Sequence, residues 1–126
     1  TLEAKYTIEA LQQAISHAGS GNLCGTIHHS DRGVQYCCDE YITLLKEHHI
    51  RISMTEDSNP TDNGMAERVN GIIKNEFLEP LQTPKNLLEA LPLVDHAVRT
   101  YNMLRPHLNL NMRTPAQVYE GKQIIL

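Results

Sequence analysis

The stretch Leu23-Cys24-Gly25-Thr26-Ile27-His28-His29-Ser30-Asp31-Arg32-Gly33 decides the fold class. Its first five residues are short and apolar and predict a strand over 23–27, which the polar run from His28 ends in a turn at Gly33. Upstream, Ile8, Leu11, Ile15 and Ala18 recur on one helical face. A helix is therefore expected from Thr7 to Ala18, with Thr7 as its N-cap and Gly19, Gly21 and Asn22 closing it. Downstream, Tyr36 to His49 predicts a second helix, with Tyr41, Leu44, Leu45 and His48 spaced along it. Ile50 to Met54 alternates as a second strand. Helix, strand, helix, strand is an α/β order. Two short strands do not make a sheet that stands alone, so further strands are expected from outside this chain or from a partner.

The second half predicts helices only. Glu56 to Thr61 is a polar loop, and Asp62 opens a helix whose apolar stripe is Met65, Val69, Ile72, Ile73 and Phe77, ended by Pro80. Thr83-Pro84 has the form of an N-cap followed by a first-turn proline. The helix it predicts carries Leu87, Leu91, Val94, Val98 and Tyr101 along one face, with a kink expected at Pro92. Arg105-Pro106-His107 breaks that helix, and a last short one starts at Thr114-Pro115, where Thr114 and Gln117 fit a capping box.

Composition bounds the function. The chain has 126 residues, room for one domain, with 40% apolar and 21% charged residues, which excludes a disordered tail. No apolar run approaches the roughly 18–20 residues of a membrane span, so no membrane partner is expected. No secretory signal is visible. The formal charge of −4 excludes a module that holds nucleic acid by bulk electrostatics. Three cysteines point to a reducing compartment and to buried free thiols. Cys24 and Cys37 are 13 positions apart with no Cys-x-x-Cys or His-x₃-His beside them, which argues against zinc. His48 and His49 are expected to end the second helix, at its negative pole.

The chemistry concentrates on few residues. Asp31 is a carboxylate at the carboxyl end of a predicted strand, where open α/β sheets place ligand groups. Glu67 lies one turn into the strongest helix, and Lys74 follows it by seven residues, nearly two full turns, so both point the same way. A carboxylate with a lysine two turns on suits a hard divalent cation beside a phosphate. Each also has an ordinary reading: Asp31 as a turn residue, Glu67 as a helix-dipole partner.

The spacing supplies context. Thirty-five residues separate Asp31 from Glu67. With His29-Ser30-Asp31-Arg32-Gly33-Val34-Gln35-Tyr36 and Asp62-Asn63-Gly64-Met65-Ala66-Glu67, the pattern resembles the DDE transposase/integrase superfamily. More narrowly, it is similar to the retroviral-integrase-like transposases of bacterial insertion sequences. In that family 35 residues separate the second Asp from the Glu, and a Lys or Arg follows the Glu by seven, as Lys74 does here. Tyr101-Asn102, Arg105-Pro106-His107 and Thr114-Pro115 match the family's C-terminal segment, so the resemblance runs from about Thr7 to Glu120.

The resemblance implies an α/β, RNase H-like integrase core, helix-rich and truncated at its N-terminal strands. On that reading residues 1–126 are a partial core, with core elements over about 7–79 and C-terminal helices over 84–126. It implies a transposase that cuts DNA 3′ ends and joins them to target DNA, and a cofactor that is Mg²⁺ or Mn²⁺. Asp31 and Glu67 would be the catalytic metal ligands. Lys74 would contact DNA near the terminal phosphate. Asn63 would touch DNA or a neighbour of a ligand, and Asp62 would cap its helix. Arg105 and His107 would contact DNA or hold the C-terminal turn. The family's first Asp has no counterpart, since Glu3 and Glu9 are the only acids before Asp31. The chain is therefore expected to be the C-terminal portion of a transposase, inactive alone. The alternative is a non-catalytic remnant that associates with itself or with an intact transposase. A homo-oligomer is expected, and a bacterial, nucleoid-associated cytoplasmic setting.

Overall fold

The computed structural model describes residues 2–56 and 60–121. Part of the expected Glu56–Thr61 loop, residues 57–59, lies outside the described residues. The chain divides into two compact units, Thr1–Gly64 and Met65–Leu126.

The first unit is a helix followed by a strand–helix–helix–strand crossover. Helix α1 spans Leu2–Ala18, strand β1 Ile27–Ser30, helix α2 Val34–Cys37, helix α3 Asp39–Glu47 and strand β2 Arg51–Met54. The strands pair in parallel, with Ile27 opposite Arg51, His28 opposite Ile52, His29 opposite Ser53 and Ser30 opposite Met54. Parallel pairing demands a crossover, and α2 and α3 supply it. The core is Ile8 and Leu11 of α1, Tyr41 and Leu45 of α3, and Ile50, with Ile15, Leu23, Tyr36, Cys38 and Leu44 partly buried around it.

Four expectations shift. First, α1 begins at Leu2 rather than at a Thr7 cap. Ala4 is buried and extends the Ile8/Leu11 stripe one turn back, which leaves Thr7 inside the helix. Second, β1 is Ile27–Ser30, not Leu23–Ile27. Gly21 and Gly25 have φ of +77° and +80°, a left-handed backbone that cannot extend a strand, so 19–25 is a turn and the polar residues carry the ladder. Third, the helix expected over Tyr36–His49 is two helices, because Cys38 adopts an extended conformation (φ −70°, ψ 147°). The break gives α3 its own N-terminus, with Asp39 and Glu40 in the first turn, where negative charge is favoured. Fourth, the thiols are not buried: Cys24 and Cys37 are exposed and Cys38 is half-buried. His48 does cap α3, and His49 turns the chain with φ +54°.

Before the second unit the chain makes a 3₁₀ turn, Pro60–Asn63, so Asp62 sits in that turn rather than at the head of an α-helix. Helix α4 spans Gly64–Ile72 and runs into a π-helical turn, Ile73–Leu78, closed by the Glu79 N–H donating to the Lys74 carbonyl at 2.8 Å. Helix α5 spans Leu87–Leu104 and continues through Pro92. Its N-cap is Asn86, not Thr83: the Asn86 side chain accepts from the Glu89 N–H at 3.0 Å, and the Glu89 carboxylate accepts from the Lys85 N–H at 2.8 Å. The predicted apolar face is only partly inward. Ala97 and Tyr101, one turn apart, are buried, whereas Leu87, Leu91, Val94 and Val98 are exposed. Helix α6 spans Pro115–Tyr119 and has the expected capping box. Thr114 Oγ1 accepts from the Gln117 N–H at 3.2 Å, and Gln117 Oε1 accepts from the Thr114 N–H at 2.8 Å.

Candidate functional site

Asp31 is the first residue past β1, and it is exposed. Its carboxylate oxygen Oδ1 accepts from the Gly33 N–H at 2.8 Å, an Asx-type turn that fixes the acid's direction. Gly33 has room for this and little more, since a Cβ there would lie 2.9 Å from that same oxygen. Arg32 Nε donates to the Thr55 carbonyl at 2.8 Å, pinning the turn to the residue after β2. The Thr55 N–H in turn donates to the Ser30 carbonyl at 3.0 Å, which carries the ladder one step past the strands.

The pleat sends neighbouring residues of β1 to opposite faces. His28 meets the helices. Its Nε2 lies 2.8 Å from the Tyr41 hydroxyl, and its ring stands edge-on to Tyr41, with Tyr36 6.0 Å away. Burial pushes the His28 pKa down. Burial likewise pushes Tyr41 up to about 12. His29 faces the other way. Its Nδ1 is 2.8 Å from Ser53 Oγ on β2, and its Nε2 is 2.8 Å from the Asp62 carbonyl. This ring ties the Asp62-Asn63 turn to the strand that delivers Asp31.

The second unit holds Glu67, Lys74, Arg105 and His107. Glu67 is exposed on α4, and Lys74 is exposed at the start of the π turn. Arg105 forks onto Glu76, with Nε to Oε2 at 2.9 Å and Nη2 to Oε1 at 2.8 Å. The fork holds the Glu76 carboxyl below the ordinary glutamate range and pushes the guanidinium up. Arg105 Nη1 is 3.2 Å from His107 Nδ1, and the His107 ring stands edge-on to Tyr101 at 5.0 Å. These two residues thus engage the unit's own helices.

The structure therefore ties the Asp62 carbonyl through His29 to the strand that precedes Asp31, and joins Arg105 to both Glu76 and His107. Asp31 and Glu67 belong to separate units. His29 and Glu76 have no signal in single-sequence patterning, because their partners lie 24 to 33 residues away. Among the described residues no three His, Cys, Asp or Glu side chains group as a metal site. Exposed carboxylates suit Mg²⁺, which takes one or two carboxylates and completes its shell with water and substrate phosphate. Asp31 keeps a second carboxylate oxygen beyond the one engaged by Gly33, so the donors present fit a hard cation.

Residues 48–115 match the family model described as Integrase core domain. The chain is 35% identical over 97 residues to an uncharacterised 31 kDa protein of insertion element IS600 from Shigella sonnei, covering 76% of this chain and 35% of that protein. It is 36% identical over 78 residues to the transposase for insertion sequence element IS629 of the same organism, covering 62% of this chain and 25% of that protein. The chain thus spans between a quarter and about a third of the curated relatives it matches. Among solved structures, the HTLV-2 integrase catalytic core domain in complex with magnesium superposes with a TM-score of 0.67 at 28% identity, covering 92% of this chain and 68% of that one. The small parallel sheet with its helices is the RNase H-like architecture of such cores. No helix among the described residues is long and apolar enough to cross a membrane. A family match over more than half the sequence, with transposase and integrase relatives agreeing, places this chain in the integrase core domain family of DDE transposases and integrases.

Proposed function

We propose that this chain is part of the catalytic core of an insertion-sequence transposase, which cuts DNA 3′ ends and joins them to a target strand. Asp31 and Glu67 are its cation-binding carboxylates, and Lys74 meets a DNA phosphate. The observation that carries this reading is Asp31, exposed at the carboxyl end of a parallel strand and oriented by the Gly33 N–H. The 35-residue interval to Glu67 and the seven-residue step to Lys74 support the pairing. Mg²⁺ or Mn²⁺, when bound, supplies charge neutralisation at the reacting phosphate and an activated hydroxyl.

The protein's own groups do the positioning. The Gly33 N–H holds Asp31 in one direction before any cation arrives. Lys74 offers three N–H donors and a full positive charge to a phosphate oxygen. Asn63, half-exposed beside the tethered Asp62, offers an amide to the substrate. We assign Arg105 and His107 to holding the C-terminal turn, because Glu76 and Tyr101 already occupy them. With a net charge of −4, DNA is met through few basic groups and the cation rather than through a broad positive field. The exposed apolar stripe Leu87, Leu91 and Val94 supports self-association.

Mn²⁺ titration, read by the paramagnetic resonance of the free ion, tests the reading. Saturable binding is expected, weakened about tenfold or more in Asp31→Asn and in Glu67→Gln, since affinity follows ligand charge. Binding that is absent, or equal in Asp31→Asn and the parent, overturns it. The chain would then be a non-catalytic module that associates with itself or with an intact transposase.

A further inference from the structure

We infer that Arg32 is a DNA-phosphate contact: its Nε is latched within the first unit, and its two Nη groups are left to take a backbone phosphate. This rests on the transposase reading above and names a substrate contact for it. Every group involved belongs to the first unit. Arg32 Nε donates to the Thr55 carbonyl at 2.8 Å. That bond uses one of the five guanidinium hydrogens. The residue is exposed, and among the described residues no carboxylate pairs with it, the ion pairs there being Asp95 with Arg99 and Glu76 with Arg105. The neighbouring Asp31 carboxylate engages the Gly33 N–H instead.

Both ends of this side chain are held before any ligand arrives. At the backbone, Ser30 Oγ donates to the Asp31 carbonyl at 2.9 Å, and the Gly33 N–H closes the turn on Asp31 at 2.8 Å. At the head, Thr55 is buried, and its own N–H is bonded to the Ser30 carbonyl. An arginine on an exposed loop ordinarily loses rotamer freedom when it takes a ligand. Here much of that freedom is already gone, which favours binding. With Nε engaged, the remaining edge is the pair of Nη groups, whose planar fork matches two phosphate oxygens. The position also suits the ligand. The parallel strands end together at Ser30 and Met54, and open α/β sheets bind ligands outside their carboxyl ends.

The test titrates the full chain with a short blunt DNA duplex in low salt, read by amide resonances. Divalent cation is left out, so the outcome does not depend on any pairing of Asp31 with Glu67. Arg32→Gln puts an amide nitrogen where Nε stood, so it keeps a donor for Thr55 and removes the charged fork. Arg32→Lys keeps the charge and has no donor at that point. Arg51→Gln removes the same charge from the amino end of the sheet, opposite Ile27. In the parent, DNA is expected to shift the Arg32, Gly33 and Thr55 amides. Arg32→Gln is expected to weaken binding about tenfold, the low end for a hydrogen bond to a charged group. Its salt dependence should fall by about one phosphate contact. Arg32→Lys should retain more affinity than Arg32→Gln, and Arg51→Gln should change it less than about twofold, as a distant screened charge.

Four results overturn the assignment and leave the transposase reading standing. They are Arg32→Gln binding DNA like the parent, Arg51→Gln weakening it as much as Arg32→Gln does, and parent shifts that spare Arg32, Gly33 and Thr55. The fourth is Arg32→Lys falling as far as Arg32→Gln or further, which marks the arginine as a structural latch alone. A parent that binds no DNA overturns the DNA reading itself, and this contact falls with it.

Discussion

Changing Tyr41 to Phe removes one oxygen from the core of the first unit. Tyr41 is 3% exposed, and its hydroxyl lies 2.8 Å from His28 Nε2. The ring itself is unaffected: it keeps its edge-on contacts with Tyr36 at 5.5 Å and with His28 at 5.4 Å. The substitution therefore isolates the hydrogen bond from the packing. A net hydrogen bond is worth about 1 kcal/mol, and a stranded buried acceptor costs about 1–3 kcal/mol. His28 is only half-buried, so water can partly replace the lost partner. The expected cost is about 1–2 kcal/mol. A unit of this size has a stability of roughly 3–9 kcal/mol, so the loss is readable. At about 1 kcal/mol per M of urea, typical of a small unit, the midpoint should fall by about 1 M or more. The assay is urea unfolding followed by amide resonances of β1 and β2, which report this unit alone. An unchanged midpoint would refute the bond. A loss matching Tyr41→Ala, for which about 3–5 kcal/mol is expected, would show that the ring and not the hydroxyl was disturbed.

Two further outcomes follow from the same geometry. His28 has its pKa lowered by burial, so the folded state resists a proton that the unfolded chain accepts. Its stabilisation is complete above the ordinary histidine value near 6.5 and is lost as pH falls through the lower folded value. Urea midpoints taken between pH 8 and pH 5 should decline, and His28→Phe should flatten that decline; a slope left intact by this change would refute the assignment. Thr114→Ala removes one half of the α6 capping box, at a residue 9% exposed. It should cost about 1 kcal/mol and speed amide exchange at Gln117, whereas Thr114→Ser should be close to neutral.

Local signals were legible wherever one segment carried the whole cause. The Thr114/Gln117 capping box, the strand expected over Ile50–Met54 and found at Arg51–Met54, the break after Leu104 and the cap at His48 all follow from residues close to one another in the chain. The spacing from Asp31 to Glu67 and Lys74 was likewise readable along the chain, and so was the family, which the comparisons show. Boundaries set by distant partners were not readable. Strand β1 sits on His28, His29 and Ser30 because β2 offers its ladder there, although Leu23–Ile27 is the more apolar run. Helix α5 packs against α6 and the π turn and buries Ala97 and Tyr101, while an equally good stripe of Leu87, Leu91 and Val94 stays outside.

The sequence by itself determined the α/β order, the family and the interval from Asp31 to Glu67, because these depend on periodicity and on fixed intervals along the chain. Only the tertiary structure decided which groups the turns and helices engage at a distance. The Gly33 N–H on Asp31 is local, but the imidazole of His29 reaches 33 residues ahead to Asp62, and Arg105 reaches 29 back to Glu76. Hydrogen bonds at such separations leave no periodic trace, since nothing in either segment alone requires the other.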